Sequence, residues 1–311
     1  MNAFRRSIRR GTALPMTAIA LLTLGLAACD DDSPTDVATQ TLADVVDDPS
    51  NDLSTLRAAL ETAGLKQTLD GEGPFTVFTP SNAAFDAVGG DIVASLLEPA
   101  NADLLEKILT YHVVAGTEAL AADLSDGQTI ATLQGEDVTI SVSGSDVTVN
   151  GNTVVTPDIE ASNGVAHVID GVLIPSVDIV DVAVLNGFPT LVDLVREADL
   201  EEVLRGTPSG AAGWTVFAPT EEAFAASGSA PEGDALAELL TYHVVEGVVE
   251  SGDLSDGQVV TTVEGSTFTV NIDGSNVTIT EGSGNTVNVV SVDVPAANGV
   301  IHVIDEVMLP S

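Results

Sequence analysis

The chain holds four histidines and one cysteine, and the histidines come in two matched settings. His112 and His243 each follow a tyrosine, Tyr111 and Tyr242, while His167 and His302 each sit inside Asn-Gly-Val-x-His-Val-Ile-Asp. Imidazoles near carboxylates can serve as general bases or metal ligands. No carboxylate or third histidine stands at ligand spacing here, so a metal site made from two histidines is the weaker reading. The stronger one is a buried ring bonded to backbone. Tyr111, His112, His167, Tyr242, His243 and His302 are therefore expected to be structural motif residues. The sequence has no Gly-x-Ser-x-Gly elbow, phosphate loop, His-Glu-x-x-His pair or catalytic cysteine. Paired acids occur everywhere and cannot be told from solvated surface. The expectation is a protein that is not an enzyme, with no catalytic residues, no metal and no cofactor.

These residues recur because the chain says nearly the same thing twice. Thr-Val-Phe-Thr-Pro at 76–80 returns as Thr-Val-Phe-Ala-Pro at 215–219, and Asp-Leu-Ser-Asp-Gly-Gln at 123–128 returns unchanged at 253–258. Asn163–Asp170 returns as Asn298–Asp305. Landmarks in one order, at a period far above the roughly 20–50 residues of solenoids, mean two copies of a globular module. The expected boundaries are 41–175 and 177–311, with a very short join that keeps the modules in contact.

Each copy opens on helical spacing. Leu53, Leu56 and Leu60 lead to a stop at Gly64, and Leu191, Leu194 and Val195 run on to Leu200 and Val203-Leu204. Thr76–Thr79 and Thr215–Ala218 read as buried strands, followed by N-caps at Ser81 and Thr220. Leu104, Leu105, Ile108 and Leu109 predict another helix leading into Tyr111-His112. The period then becomes two. Val138, Ile140 and Val142 with Val147 and Val149, and Phe268, Val270 and Ile272 with Val277 and Ile279, predict β-hairpins. Val165–Val172 and Val300–Val307 read as inner strands. Each module is thus α+β, with helices first and a small twisted antiparallel sheet later. Copy two is about two helical turns shorter between Pro219 and Tyr242, and longer around Gly282–Asn285.

The amino-terminal part reads as a leader. Arg5, Arg6, Arg9 and Arg10 precede an apolar run, Ala13 to Leu26, which is shorter than the about 20 residues that span a bilayer. It reads as a signal peptide over 1–28. Leu26-Ala27-Ala28-Cys29 resembles the bacterial lipobox, and that resemblance implies lipidation of Cys29; the alternative is a small residue after an ordinary signal. An acidic, flexible tether is expected over 29–40. Without the leader, five Lys and Arg stand against 47 Asp and Glu, or −42. Such a surface excludes nucleic acid and anionic lipid heads as partners. The acids and near absence of lysine resemble proteins adapted to high salt. Divalent-cation sites are the alternative, although Asp-Leu-Ser-Asp-Gly-Gln lacks the sixth-position Gly of an EF-hand loop.

Taken together, Thr-Val-Phe-Thr-Pro-Ser-Asn-Ala-Ala-Phe (76–85), Tyr111-His112 and Asn163–Pro175, with their second copies, resemble the homology boxes and Tyr-His pair of fasciclin domains. The resemblance covers nearly everything after Gln40. It implies two tandem modules, each a small β-sandwich or wedge with flanking N-terminal helices, and a role in cell-surface adhesion or matrix interaction, without enzyme activity. In animal members the Tyr-His region is linked to receptor binding. Expected partners are a protein or polysaccharide at the cell surface or matrix. The membrane is met only through the lipid on Cys29, and weak self-association is expected at high salt. The expected location is the outer surface of the cell envelope; a periplasmic scaffold is the alternative.

Overall fold

The structure is a computed structural model and describes residues 40–310. The expected signal peptide, Cys29 and the tether up to residue 39 lie outside the described residues. Two seven-stranded sheets hold the fold together, one for each copy.

In the first copy, helices α1 (Leu42–Asp47), α2 (Ser54–Thr62) and α3 (Lys66–Leu69) precede strand β1 (Phe75–Pro80). Helices α4 (Asn82–Val88), α5 (Gly90–Leu96) and α6 (Ala102–Tyr111) follow, then β2 (Val113–Ala115), β3 (Thr129–Ala131), β4 (Asp137–Ser143), β5 (Asp146–Val149), β6 (Asn152–Ala161) and β7 (Gly164–Ile169). The sheet order is β2-β1-β7-β6-β5-β4-β3. The second copy repeats the plan with α7 (Ile179–Leu185), α8 (Pro189–Glu197), α9 (Glu201–Arg205), β8 (Trp214–Pro219), α10 (Glu221–Ser227), α11 (Asp234–Tyr242), β9 (Val244–Glu246), β10 (Gln258–Thr261), β11 (Thr267–Asp273), β12 (Asn276–Thr280), β13 (Thr286–Ala296) and β14 (Gly299–Ile304).

The sheets are mixed, not antiparallel throughout as the hairpin patterns suggest. β1 runs parallel to β7, with Phe75 opposite Gly164 and Pro80 opposite Ile169, and β8 runs parallel to β14 in the same register. Sequence alternation reveals only strands with one wet face. The parallel pair is buried on both faces and reads as a continuous apolar run, which hides its pairing sense. Its side chains divide the core. Val77, Ala166 and Val168 pack under the helices, while Phe78 and Ile169 point the other way into Val138, Ile140, Val147 and Val149 of the curled hairpin. Copy two repeats this division with Val216 and Ile301 against Phe217, Ile304 and Phe268. A helical layer on one face and a folded-over hairpin on the other make the wedge.

The helix ends follow local chemistry. Ser81 Oγ accepts from Ala84 N at 3.1 Å and Thr220 Oγ1 from Ala223 N at 3.2 Å, so both expected N-caps form. The apolar run from Leu191 to Leu204 is two helices instead of one, because Asp199 turns left-handed at φ 55°. The difference in length between copies is α5, which has no counterpart between α10 and α11. The longer second hairpin is the turn from Glu281 to Asn285, where copy one has only Asn150-Gly151.

The parallel pair leaves no room for side chains where the strands begin. A Cβ on Gly164 would lie 2.1 Å from the Phe75 carbonyl oxygen, and one on Gly299 2.3 Å from that of Trp214. Either Gly→Ala change should therefore force the strands apart and destabilise the fold by about 3 kcal/mol or more. Urea unfolding measures it; an unshifted midpoint for Gly164→Ala or Gly299→Ala would contradict this strand packing.

Candidate functional site

The Tyr-His pair ends the helix before the sheet. His112 caps α6, and its Nδ1 lies 2.7 Å from the Ile108 carbonyl. A carbonyl can only accept, so Nδ1 carries the proton, and Nε2 accepts from Leu173 N at 2.9 Å. His243 repeats this, with Leu239 O at 2.8 Å and Met308 N at 2.9 Å. Each ring therefore ties a helix end to the segment leaving the last strand. Burial pushes both imidazoles down to about 4, against the opposing effect of the carbonyl bond. Tyr111 Oη donates to Asp137 O at 3.0 Å and accepts from Asn150 Nδ2 at 2.8 Å, pinning the hairpin. Tyr242 Oη faces Thr267 O at the longer distance of 3.4 Å. Burial raises both phenols.

The second histidines hold a bulge. His167 Nε2 donates to Ala119 O at 2.8 Å, and its Nδ1 accepts from Asp158 N at 3.2 Å. His302 does the same with Val249 O at 2.9 Å and Asp293 N at 3.3 Å. The amides point inward because Asp158 and Asp293 turn left-handed, φ 57° and 59°, within register shifts of β6 and β13. Their carboxylates bind the preceding loop, and Asp158 Oδ1 also lies 3.8 Å from His167 Nδ1. Asp158 accepts from Ala121 N at 2.8 Å, and Asp293 from the amide and hydroxyl of Ser251. Burial lowers the pKa of His167. All four rings thus use both nitrogens on backbone, leaving no lone pair for a metal or a proton relay. Among the described residues, no group of three or more His, Cys, Asp or Glu is arranged to hold a metal ion.

The residues that sequence reasoning passed over are the asparagines opening the same box. Asn163 accepts from Leu42 N at 2.9 Å and donates to Leu69 O and Gly71 O, at 2.7 and 2.8 Å. Asn298 repeats this with Ile179 N, Leu204 O and Gly206 O. One amide thus fastens the first helix, the third helix and the sheet. Their signal was recurrence at the same place in both copies, without a titratable group to attract notice.

The two modules meet through α5 and α6 of the first and α7 and α8 of the second. Leu96, Leu104 and Ile108 share one apolar cluster with Val180, Val184 and Leu191. Beside it lies an ion cluster around Asp181, only 1% exposed. Lys107 Nζ reaches Asp181 Oδ2 at 2.9 Å from the first module, and Arg205 Nη1 reaches Asp181 Oδ1 and Asp178 Oδ2 at 2.7 Å each from the second. Burial opposes the charge on Arg205, but its bond to Asp181 and the field of Asp181, Asp178 and Glu201 outweigh this and raise its pKa. Arg196 also crosses the join, donating to Asn101 Oδ1 at 2.7 Å and Ala100 O at 3.1 Å. None of this is repeated on the second module, where Glu238 stands in the place of Lys107 and Ala235 in that of Leu104.

The model of the Fasciclin domain matches residues 51–175 and again 186–310. The chain belongs to the fasciclin domain family. Among its relatives, Protein sll1483 of Synechocystis sp. is 43% identical over 170 residues, covering 53% of this chain and 93% of that one. The transforming growth factor-beta-induced protein ig-h3 of Sus scrofa is 31% identical over 259 residues, 80% of this chain but 36% of that protein, so the fasciclin pair spans about a third of its length. A solved fasciclin domain pair from the insect cell adhesion molecule fasciclin I covers 84% of this chain and 98% of the other, at 18% identity and a TM-score of 0.38. Fasciclin domains occur in cell-adhesion proteins. No helix among the described residues is long and apolar enough to cross a membrane.

The buried rings of this fasciclin pair set a pH dependence. Well above pH 6.5 neither folded nor unfolded chain protonates His112 or His243, and their contribution to stability is complete. As pH falls from 6.5 toward about 4, the unfolded chain binds protons that the folded one refuses, and stability is lost. Each ring should remove about 2 kcal/mol between about pH 6.5 and 5. Urea unfolding in about 2 M KCl, which screens carboxylate repulsion, measures the loss. Stability that stays flat or rises over that range would contradict neutral, buried rings.

Proposed function

We propose that this chain is a lipid-anchored, non-enzymatic contact protein of the cell envelope, presenting its two fasciclin modules to a protein or polysaccharide at the outer surface under high salt. One observation carries the reading: the groups able to do chemistry are already engaged inside the fold. The four imidazoles hold backbone, which supports a structural role for Tyr111, His112, His167, Tyr242, His243 and His302. The five cations of the described residues all face carboxylates, Arg57 and Lys66 at Asp47 and the other three near the join. What remains outward is a surface of acids, hydroxyls and amides with scattered valines and leucines such as Val203 and Val259, suited to wet, shallow contacts. Lipid on Cys29, a signal over 1–28, a tether over 29–40 and modules over 41–175 and 177–311 complete the reading.

Charge then dictates how two such molecules meet. Surfaces with this acid excess repel over a Debye length of about 10 Å at 0.1 M salt, which shrinks to about 3 Å at 1 M. Beads coated through position 29 with the chain beginning there should stay dispersed at about 0.05 M monovalent salt with chelator, and aggregate in molar salt or with divalent cation. Equal aggregation in both conditions would overturn the electrostatic part of the proposal.

A further inference from the structure

The second module contains an apolar cavity that the first module's sequence does not reproduce. It measures about 50 Å³ and lies between α7, α8, α9 and the start of the sheet. Trp214, Val216 and Ile301 form its floor, and Ala183 and Val195 its wall. Thr241, His243 and Trp214 bring polar side-chain atoms to the lining, and all are engaged: the Thr241 hydroxyl donates to Ala237 O at 2.6 Å, both His243 nitrogens are bonded, and Trp214 Nε1 donates to Gly206 O at 2.9 Å. The cavity offers no hydrogen bond to water and favours hydrocarbon. It also has a mouth. Val203, 52% exposed, and Val263, 39% exposed, belong to its lining. In the first module the matching positions, fixed by the shared asparagine ties, hold Val46 for Ala183 and Thr68 for Val203. One substitution fills the wall and the other makes the mouth polar.

Size and charge select the occupant. A cavity of about 150 Å³ admits benzene; this one is about a third of that, so it takes the tip of a branched aliphatic side chain and excludes rings and acyl chains. The mouth residues are each followed or preceded by an acid, Glu264 after Val263 and Glu202 before Val203, and Glu202 is exposed. We propose that this cavity is a docking pocket for one aliphatic side chain carried on a basic segment of a protein partner. The pocket is the buried anchor point and the glutamates are its polar rim. This deepens the contact function proposed above and rests on it.

The chain has one tryptophan, and it forms the floor of this pocket, so its fluorescence reports occupancy directly. The probes are the peptides Gly-Lys-Lys-Leu-Lys-Lys-Gly, the same with Ala for Leu, and Gly-Ser-Ser-Leu-Ser-Ser-Gly, titrated against the chain beginning at Cys29, unlipidated. The basic Leu peptide should shift Trp214 emission and bind at least about tenfold tighter than either other peptide. Ala183→Val should erase the Leu preference. Val203→Asn, at an exposed position that leaves the core intact, should weaken the Leu peptide by about tenfold. Equal binding of the Leu and Ala peptides, equal binding of the charged and uncharged Leu peptides, or unchanged binding by Val203→Asn would overturn the pocket. Bead aggregation strengthens with salt while this peptide binding weakens, so loss of the pocket would leave the contact reading to stand or fall separately.

Discussion

The buried carboxylate of Asp181 is met by cations from both modules. Lys107 comes from the first and Arg205 from the second. Arg205 pairs Asp181 within the second module, and Lys107, 40% exposed, adds the ion contact that crosses the join and favours one orientation of the halves. The choice of partners is informative in a chain so poor in cations. Five basic residues lie among the described residues, and three of them, Lys107, Arg196 and Arg205, stand at or beside the join. The apolar contact of α5 and α6 with α7 supplies the area, and the ions supply the register.

The same arrangement explains why the copies diverged where they did. Inside each module the asparagine and histidine bonds of the last strand repeat nearly distance for distance, and its glycine repeats the same close approach, because they close the helices, the bulge and the parallel pair. Outside that framework the copies are free. Helix α5 is present only in the module that packs against α7, and Glu238 stands in the place of Lys107 in the other. The second module in turn has an open apolar pocket where the first has Val46 and Thr68.

Much of this was legible in the residues. The duplication, the capping positions, the two-residue turns of the first hairpins and the missing helical turns each have a local signature, and they lie where expected. The parallel strand pair was not legible, since a run buried on both faces carries no period. The break at Asp199 was hidden because apolar spacing continues across it. The histidines could be read as buried, but their partners could not. Leu173 N and Met308 N are 61 and 65 positions away, and the bulge that delivers Asp158 N and Asp293 N depends on a left-handed residue in mid-strand. The junction ions were illegible for the same reason: Lys107 and Asp181 are 74 positions apart and meet only once both modules are folded.

The central claim is that the modules form one rigid body. Its most direct test is a spin-label distance between Cys residues placed at the exposed turn positions Ser145 and Ser275, one on each module, with Cys29→Ser in the background. The account predicts one narrow distance distribution, the same in about 0.1 M and 2 M KCl, because the apolar contact of α5 and α6 with α7 holds the join and pairs to the buried Asp181 are screened far less than exposed ones. A broad or salt-dependent distribution would contradict it.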